Sequence, residues 1–117
     1  METEAALAAL AALSQRTRLD VFRFLVEAGP EGAIVGAIAD ALDLAAPTLS
    51  FHLKALSHAG LVASRAESRF IRYTANFDAM NGLVAYLTEN CCRGQPELCA
   101  PSCAPKKSSP RRRRVFA

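Results

Sequence analysis

All four cysteines of the 117-residue chain, Cys91, Cys92, Cys99 and Cys103, fall within thirteen residues of one another. A disulfide scaffold would scatter cysteines to staple loops. Thiols gathered in one short stretch point to metal or redox chemistry in a reducing compartment. Thiolates are soft donors and select thiophilic ions. Trivalent arsenic takes three sulfurs in a pyramid with its lone pair as the fourth corner. An adjacent pair plus one returning thiol meets that demand, and Gly94 and Pro96 let the chain turn back so that Cys99 joins Cys91 and Cys92. These three are the expected ligands of As(III) or Sb(III), with Cys103 behind them. Zinc, cadmium or lead come second: four thiols suit a tetrahedral ion, and the Cys99-x₃-Cys103 spacing keeps that reading open. A thiol-redox switch is third. The alternative from another class is a small thiol reductase using Cys91 and Cys92. No C-x-x-C motif opens a helix and no βαβ pattern surrounds it, so the chain is not expected to be an enzyme.

A second set of residues has the chemistry of nucleic-acid recognition. Leu49, Leu53 and Leu56 recur at helical spacing and must pack inward. At about 100° per residue, Thr48, Phe51 and Ala55 then face the other way, flanked by Ser50 and Lys54. Hydroxyls bond to base edges or phosphates, and an outward aromatic suits a thymine methyl. His52 is placed with this DNA-reading set, although His52 and His58 taken singly read more readily as surface or core histidines. Arg65, Arg69 and Arg72 follow on a basic hairpin. From Leu44 to Thr74 these three and Lys54 stand against Glu67 alone.

That local excess matters because the formal charge of +3 misleads. Six of the fourteen basic residues are Lys106, Lys107 and Arg111 to Arg114, which leaves eight against eleven acids in the rest of the chain. A DNA-binding surface must therefore be local. The basic run after Pro110 reads as a disordered tail that adds non-specific phosphate attraction.

The elements that must position these residues are five helices and a hairpin. Leu7, Leu10 and Leu13 form a first apolar stripe. Ser14 is expected to cap a second helix carrying Leu19, Phe22, Leu25 and Val26, which Gly29-Pro30 ends. Ile34, Ile38, Ala41 and Leu42 form a third. A very short link leads to a fourth that has Pro47 in its first turn and stops at Gly60. Leu61–Arg65 and Arg69–Ala75 read as strands, with Ala66-Glu67-Ser68 as the turn. Asp78 is expected to cap a fifth helix bearing Met80, Leu83, Val84 and Leu87 and ending at Cys91 and Cys92. An exposed lysine or a few hairpin arginines alone are usually only solvated surface. The ordered run of helix, tight link, helix and basic hairpin is more specific. It predicts a mainly α fold with a small β-hairpin wing, a winged helix-turn-helix.

At these residues the sequence resembles the ArsR/SmtB family of metal-sensing repressors, arsenic-sensing type. Ala46-Pro47-Thr48-Leu49-Ser50-Phe51-His52-Leu53-Lys54-Ala55-Leu56, continuing to Ala59-Gly60-Leu61-Val62, is similar to the family's recognition helix and its exit, and Ser14 to Leu19 looks like the opening of its second helix. The resemblance covers roughly Leu7 to Leu87. It implies a homodimer, built on the first and last helices, that occupies double-stranded operator DNA and is relieved of repression by a bound ion. The cysteines near the end of the last helix resemble those of members that sense trivalent arsenic or antimony. The family's best-known metal site instead places cysteines in the helix before the turn, and here Val35 to Leu44 has none. The expected organisation is a DNA-binding and dimerisation domain over 1–90, a cysteine-rich metalloid segment over 91–104 and a tail over 105–117. The apolar stretch Ala5 to Leu13 is too short to span a bilayer and lacks the marks of a signal peptide, so a cytoplasmic location with no membrane is expected.

Overall fold

The structure is a computed structural model and describes residues 1–94. The chain divides into two compact units, Met1–Tyr86 and a second beginning at Leu87. The first unit holds almost all the regular structure: α1 (Thr3–Leu13), α2 (Arg16–Ala28), β1 (Ala33–Ile34), α3 (Val35–Leu42), α4 (Ala46–His58), β2 (Val62–Glu67), β3 (Phe70–Ala75) and α5 (Phe77–Leu87), whose last residue opens the second unit. The fold is thus mainly helical with a small antiparallel sheet in the order β1-β3-β2. No helix among the described residues is long and apolar enough to cross a membrane.

Helix periodicity dictates the core. Val21 and Leu25 of α2, Ile38 of α3 and Leu49, Leu53 and Leu56 of α4 are fully buried together, and Leu61 joins them at the entry to the sheet. Each such side chain contributes about 1.5–3 kcal/mol by leaving water. In this way α2 and α3 hold α4 by its inner face and leave its outer face to solvent.

Five local expectations need correction. In α1 the buried row is Ala6, Ala9 and Ala12, while Leu7 and Leu10 are exposed at 54% and 40%. Both rows are apolar at the same spacing, but only methyl-sized side chains let a helix lie close against its neighbours. Helix α2 is capped by Gln15, whose side chain accepts the Arg18 N–H, and Ser14 instead donates to the Ala11 carbonyl of α1. Helix α5 is capped by Asn76, not Asp78. The Asn76 Oδ1 accepts the Ala79 N–H at 3.1 Å while its Nδ2 donates to Gly60 O at 3.0 Å. The hairpin strands run on to Glu67 and resume at Phe70, so the turn is Ser68-Arg69, with Ser68 left-handed at φ 59°. A two-residue hairpin loop needs positive φ at its first position to match the strand twist.

Ile34, expected in the third helix, pairs instead with Arg72, as Ala33 does with Tyr73. This close approach depends on Gly32 (φ +63°). A Cβ there would run into the Tyr73 carbonyl and lie 2.7 Å from Thr74 Cγ2. At the other side of the unit, the Thr3 and Tyr86 hydroxyls are hydrogen-bonded at 2.6 Å, tying α1 to α5.

Candidate nucleic-acid interface and thiol segment

Helix α3 ends where Asp43 takes the left-handed conformation (φ 55°) and returns its N–H to Asp40 O. Three residues later α4 begins, with Pro47 in its first turn, where a missing N–H costs nothing. With Leu49, Leu53 and Leu56 buried, Thr48, Ser50, Phe51 and Lys54 are all exposed on α4. Phe51 is the extreme case at 66%, a large aromatic ring that the fold leaves in water. The arrangement offers hydroxyls, one cation and one apolar face on a single helix surface, which is what base edges and thymine methyls require.

His52 does not join that surface. It is 8% exposed and its Nδ1 has no hydrogen-bond partner among the described residues. Positions 49, 52, 53 and 56 form one i, i+3, i+4, i+7 stripe, so spacing alone would have sent His52 inward. Burial, with help from the Arg18 charge, lowers its pKa and favours the neutral ring. The Phe51 ring meets it edge-on, with centroids 5.4 Å apart.

On the wing, Arg65 of β2 lies directly across from Arg72 of β3. Two like charges in that register would repel. Glu67, two residues along β2 on the same face, sits between them. Arg65 Nη2 donates to Glu67 Oε2 at 2.7 Å, and Arg72 Nε donates to Oε1 at 3.0 Å. These bonds, Arg65's first, hold the Glu67 carboxyl below the usual carboxylate range. Arg72 also donates from Nη1 to Glu31 O at 3.2 Å, which fastens the wing to the turn before β1. Arg69, at the exposed hairpin tip, has no ion pair among the described residues. Of the three hairpin arginines expected to meet DNA, one is therefore unengaged and two share a carboxylate. Counting charges registered Glu67 as a single acid and missed that it pairs with two of the arginines.

The thiols lie beyond α5, not in it. That helix ends at Leu87, and Cys91 and Cys92 occupy a separate 3₁₀ turn, Cys91–Gly94, preceded by a turn in which Cys91 N–H donates to Thr88 O at 3.1 Å. Asn90, three residues past the helix end, takes left-handed φ, a region L residues rarely visit, so the helix does not run on into the cysteines; Cys92 and Arg93 are left-handed as well. Both thiols are half-buried. Cys99 and Cys103 lie outside the described residues, and no three His, Cys, Asp or Glu side chains gather as a metal site among those described.

Comparison with known proteins decides the family. A helix-turn-helix domain family model matches residues 13–65. HlyU from Vibrio cholerae is 30% identical over 74% of this chain and 97% of its own, with a TM-score of 0.59. NolR from Sinorhizobium fredii is 31% identical over 74% and 83%, TM-score 0.59. An ArsR-like transcriptional regulator from Rhodococcus sp. RHA1 is 28% identical over 81% and 87%, TM-score 0.65. The chain belongs to the ArsR/SmtB family. HlyU is matched also in a form described as reduced, at 28% identity over 73% and 90%, TM-score 0.56. No curated protein matches the chain.

This ArsR/SmtB chain is accordingly a DNA-binding transcriptional regulator with a winged helix-turn-helix fold. Its relatives are regulators, not enzymes. Its α3 carries no cysteine, so any thiol chemistry in this regulator belongs to the segment after α5.

Proposed function

We propose that this regulator is a homodimeric repressor, released from its operator when trivalent arsenic or antimony is held by Cys91, Cys92 and Cys99. The observation that carries the reading is the pair of adjacent, half-buried thiols on one turn directly after α5. Two soft donors side by side suit a thiophilic ion better than a hard one. When bound, the ion supplies a crosslink between thiolates, and Cys99 is the residue whose spacing returns to the pair. Cys103 stands in reserve.

Exposed leucines support the dimer. Leu7 and Leu10 on α1 and Val84 on α5 are large apolar side chains left in water, on two helices that are hydrogen-bonded to each other. A second copy covers such a face at least cost. If α5 pairs the subunits, drawing the thiols together at its end shifts the pairing. The separation of the two α4 helices then changes, and it must match half-sites roughly 34–36 Å apart. The ion acts only through its differential affinity for the bound and released states, with a coupling of about 1–3 kcal/mol. Genes for metalloid resistance are the fitting targets, in the cytoplasm.

The test is an operator obtained by binding-site selection, then titrated with As(III), Sb(III), Zn(II) and Cd(II) in turn. Serine at Cys91, Cys92 or Cys99 leaves operator binding intact and abolishes release by As(III). Cys103→Ser matters less. Release by As(III) from the triple serine variant overturns the reading. A thiol-redox switch is the second reading, favoured by the relative described in a reduced form. Release by oxidant but not by As(III) selects it.

A further inference from the structure

We infer that Glu67 stands in for a DNA phosphate on the wing: its carboxylate occupies the anion position between Arg65 and Arg72 and so holds down the regulator's affinity for DNA of arbitrary sequence. The inference goes beyond the metalloid reading and holds in the absence of any ion. It starts from register. Arg65 and Arg72 are direct cross-strand partners, so their guanidiniums share one face of the hairpin. Glu67, at i+2 from Arg65, is on that face by the period of the strand. The carboxylate receives Arg65 Nε at 3.2 Å and Nη2 at 2.7 Å, and Arg72 Nε at 3.0 Å to each oxygen. Two guanidiniums converging on one oxyanion is the donor set that also grips a phosphate.

The site is open to such a competitor. The Arg65 side chain is 66% exposed and Glu67 35%. Sequence-independent affinity comes from neutralising phosphates and releasing their counterions. An arginine already neutralised in its own strand contributes less to that term. Arg69 keeps its full share at the tip. Base readout by α4 then makes up a larger part of the total, so the carboxylate favours operator over bulk DNA. It also holds the two arginines in place, where without it they would repel.

The experiment measures binding of the full chain to a short duplex of mixed sequence across a salt series. Glu67→Gln keeps the shape and removes the charge. The variant is expected to bind more tightly at low salt. Its dependence of log K on log salt should steepen by up to roughly 0.9 for each arginine released. Glu67→Asp keeps the charge and is expected to keep the wild-type slope. A Glu67→Gln slope equal to or shallower than wild type overturns the inference. So does an aspartate variant that behaves like the glutamine one, since strand geometry and not charge would then be the cause. Titration of the free proteins with inorganic phosphate, read on the Arg65 and Arg72 Nε–H resonances, gives a second measure without DNA. Saturation at lower phosphate in Glu67→Gln supports the inference, and equal saturation in both proteins overturns it.

Discussion

Helix α4 and the wing both carry polar and charged groups toward solvent, yet they do it on different terms. On α4 each side chain has one role fixed by its angle around the axis: Leu49, Leu53 and Leu56 are buried, while Thr48, Ser50, Phe51 and Lys54 are exposed. On the wing a side chain's role depends on its cross-strand partner. Arg65, Arg69 and Arg72 look equivalent in sequence, but Glu67 engages the first and last and leaves Arg69 unengaged. Periodicity reports burial; it does not report charge pairing. A helix face can therefore be read from one strand of sequence, and a basic hairpin cannot.

The largest effect expected is on the inner face of α4. Leu53→Ala removes a fully buried side chain of the core, and should cost about 2–5 kcal/mol of stability in denaturant titration. A loss below 1 kcal/mol would mean that α4 is not held by this stripe. The outer face should respond differently. Ala at Phe51, Thr48 or Ser50 is expected to leave circular dichroism and melting unchanged while weakening specific DNA binding by about 1–3 kcal/mol for a lost base contact. Normal binding by all three variants would break the comparison at its root, because α4 would not be the reader.

His52 refines the inner-face account through pH. Its pKa is lowered in the folded state, by burial first and then by Arg18. As pH falls from about 7, the unfolded chain protonates this histidine near its ordinary value of about 6.5 while the folded chain resists. The unfolded state then binds more protons, so stability is lost over that descent and levels off once the folded ring protonates. His52→Leu, which suits the stripe, is expected to flatten the melting temperature between about pH 7 and pH 5. An unchanged slope would place the titration elsewhere.

The smallest effect belongs to the wing. Arg65→Gln is expected to lower the salt slope of DNA binding by less than Arg69→Gln does, because the former charge is already offset by Glu67. Its cost in stability should be small, as for other exposed pairs. Equal slopes would show that phosphates displace Glu67 at no penalty.

Much of this was legible in the sequence, for reasons that also mark the boundary. The α4 stripe, the tight Asp43 link and the stop at Gly60 follow from spacing and local chemistry. His52 sat within the same stripe and was legible too, had position been weighed above residue type. Other features depend on what lies across from them. In α1 two apolar rows compete, and only the neighbouring surface decides for the alanines. Strand β1 is two residues long and exists because β3 is beside it. The left-handed backbone at Asn90, three residues past the end of α5 at Leu87, is announced by no periodicity. The exposed outer face of α4 was thus visible before the fold, and the neutralised wing was not.

Gly32 carries a consequence for how this sequence can drift. Most positions on the outside of the domain tolerate a new side chain, and Gly36, with nothing among the described residues within 4 Å of a would-be Cβ, is one of them. Four residues earlier the same change would wedge β1 away from Tyr73 and Thr74 and break the pairing of Ile34 with Arg72. The wing's anchor therefore depends on an atom that is not there. In a saturation library, position 32 should come back as glycine alone while position 36 fills with alanine and larger residues.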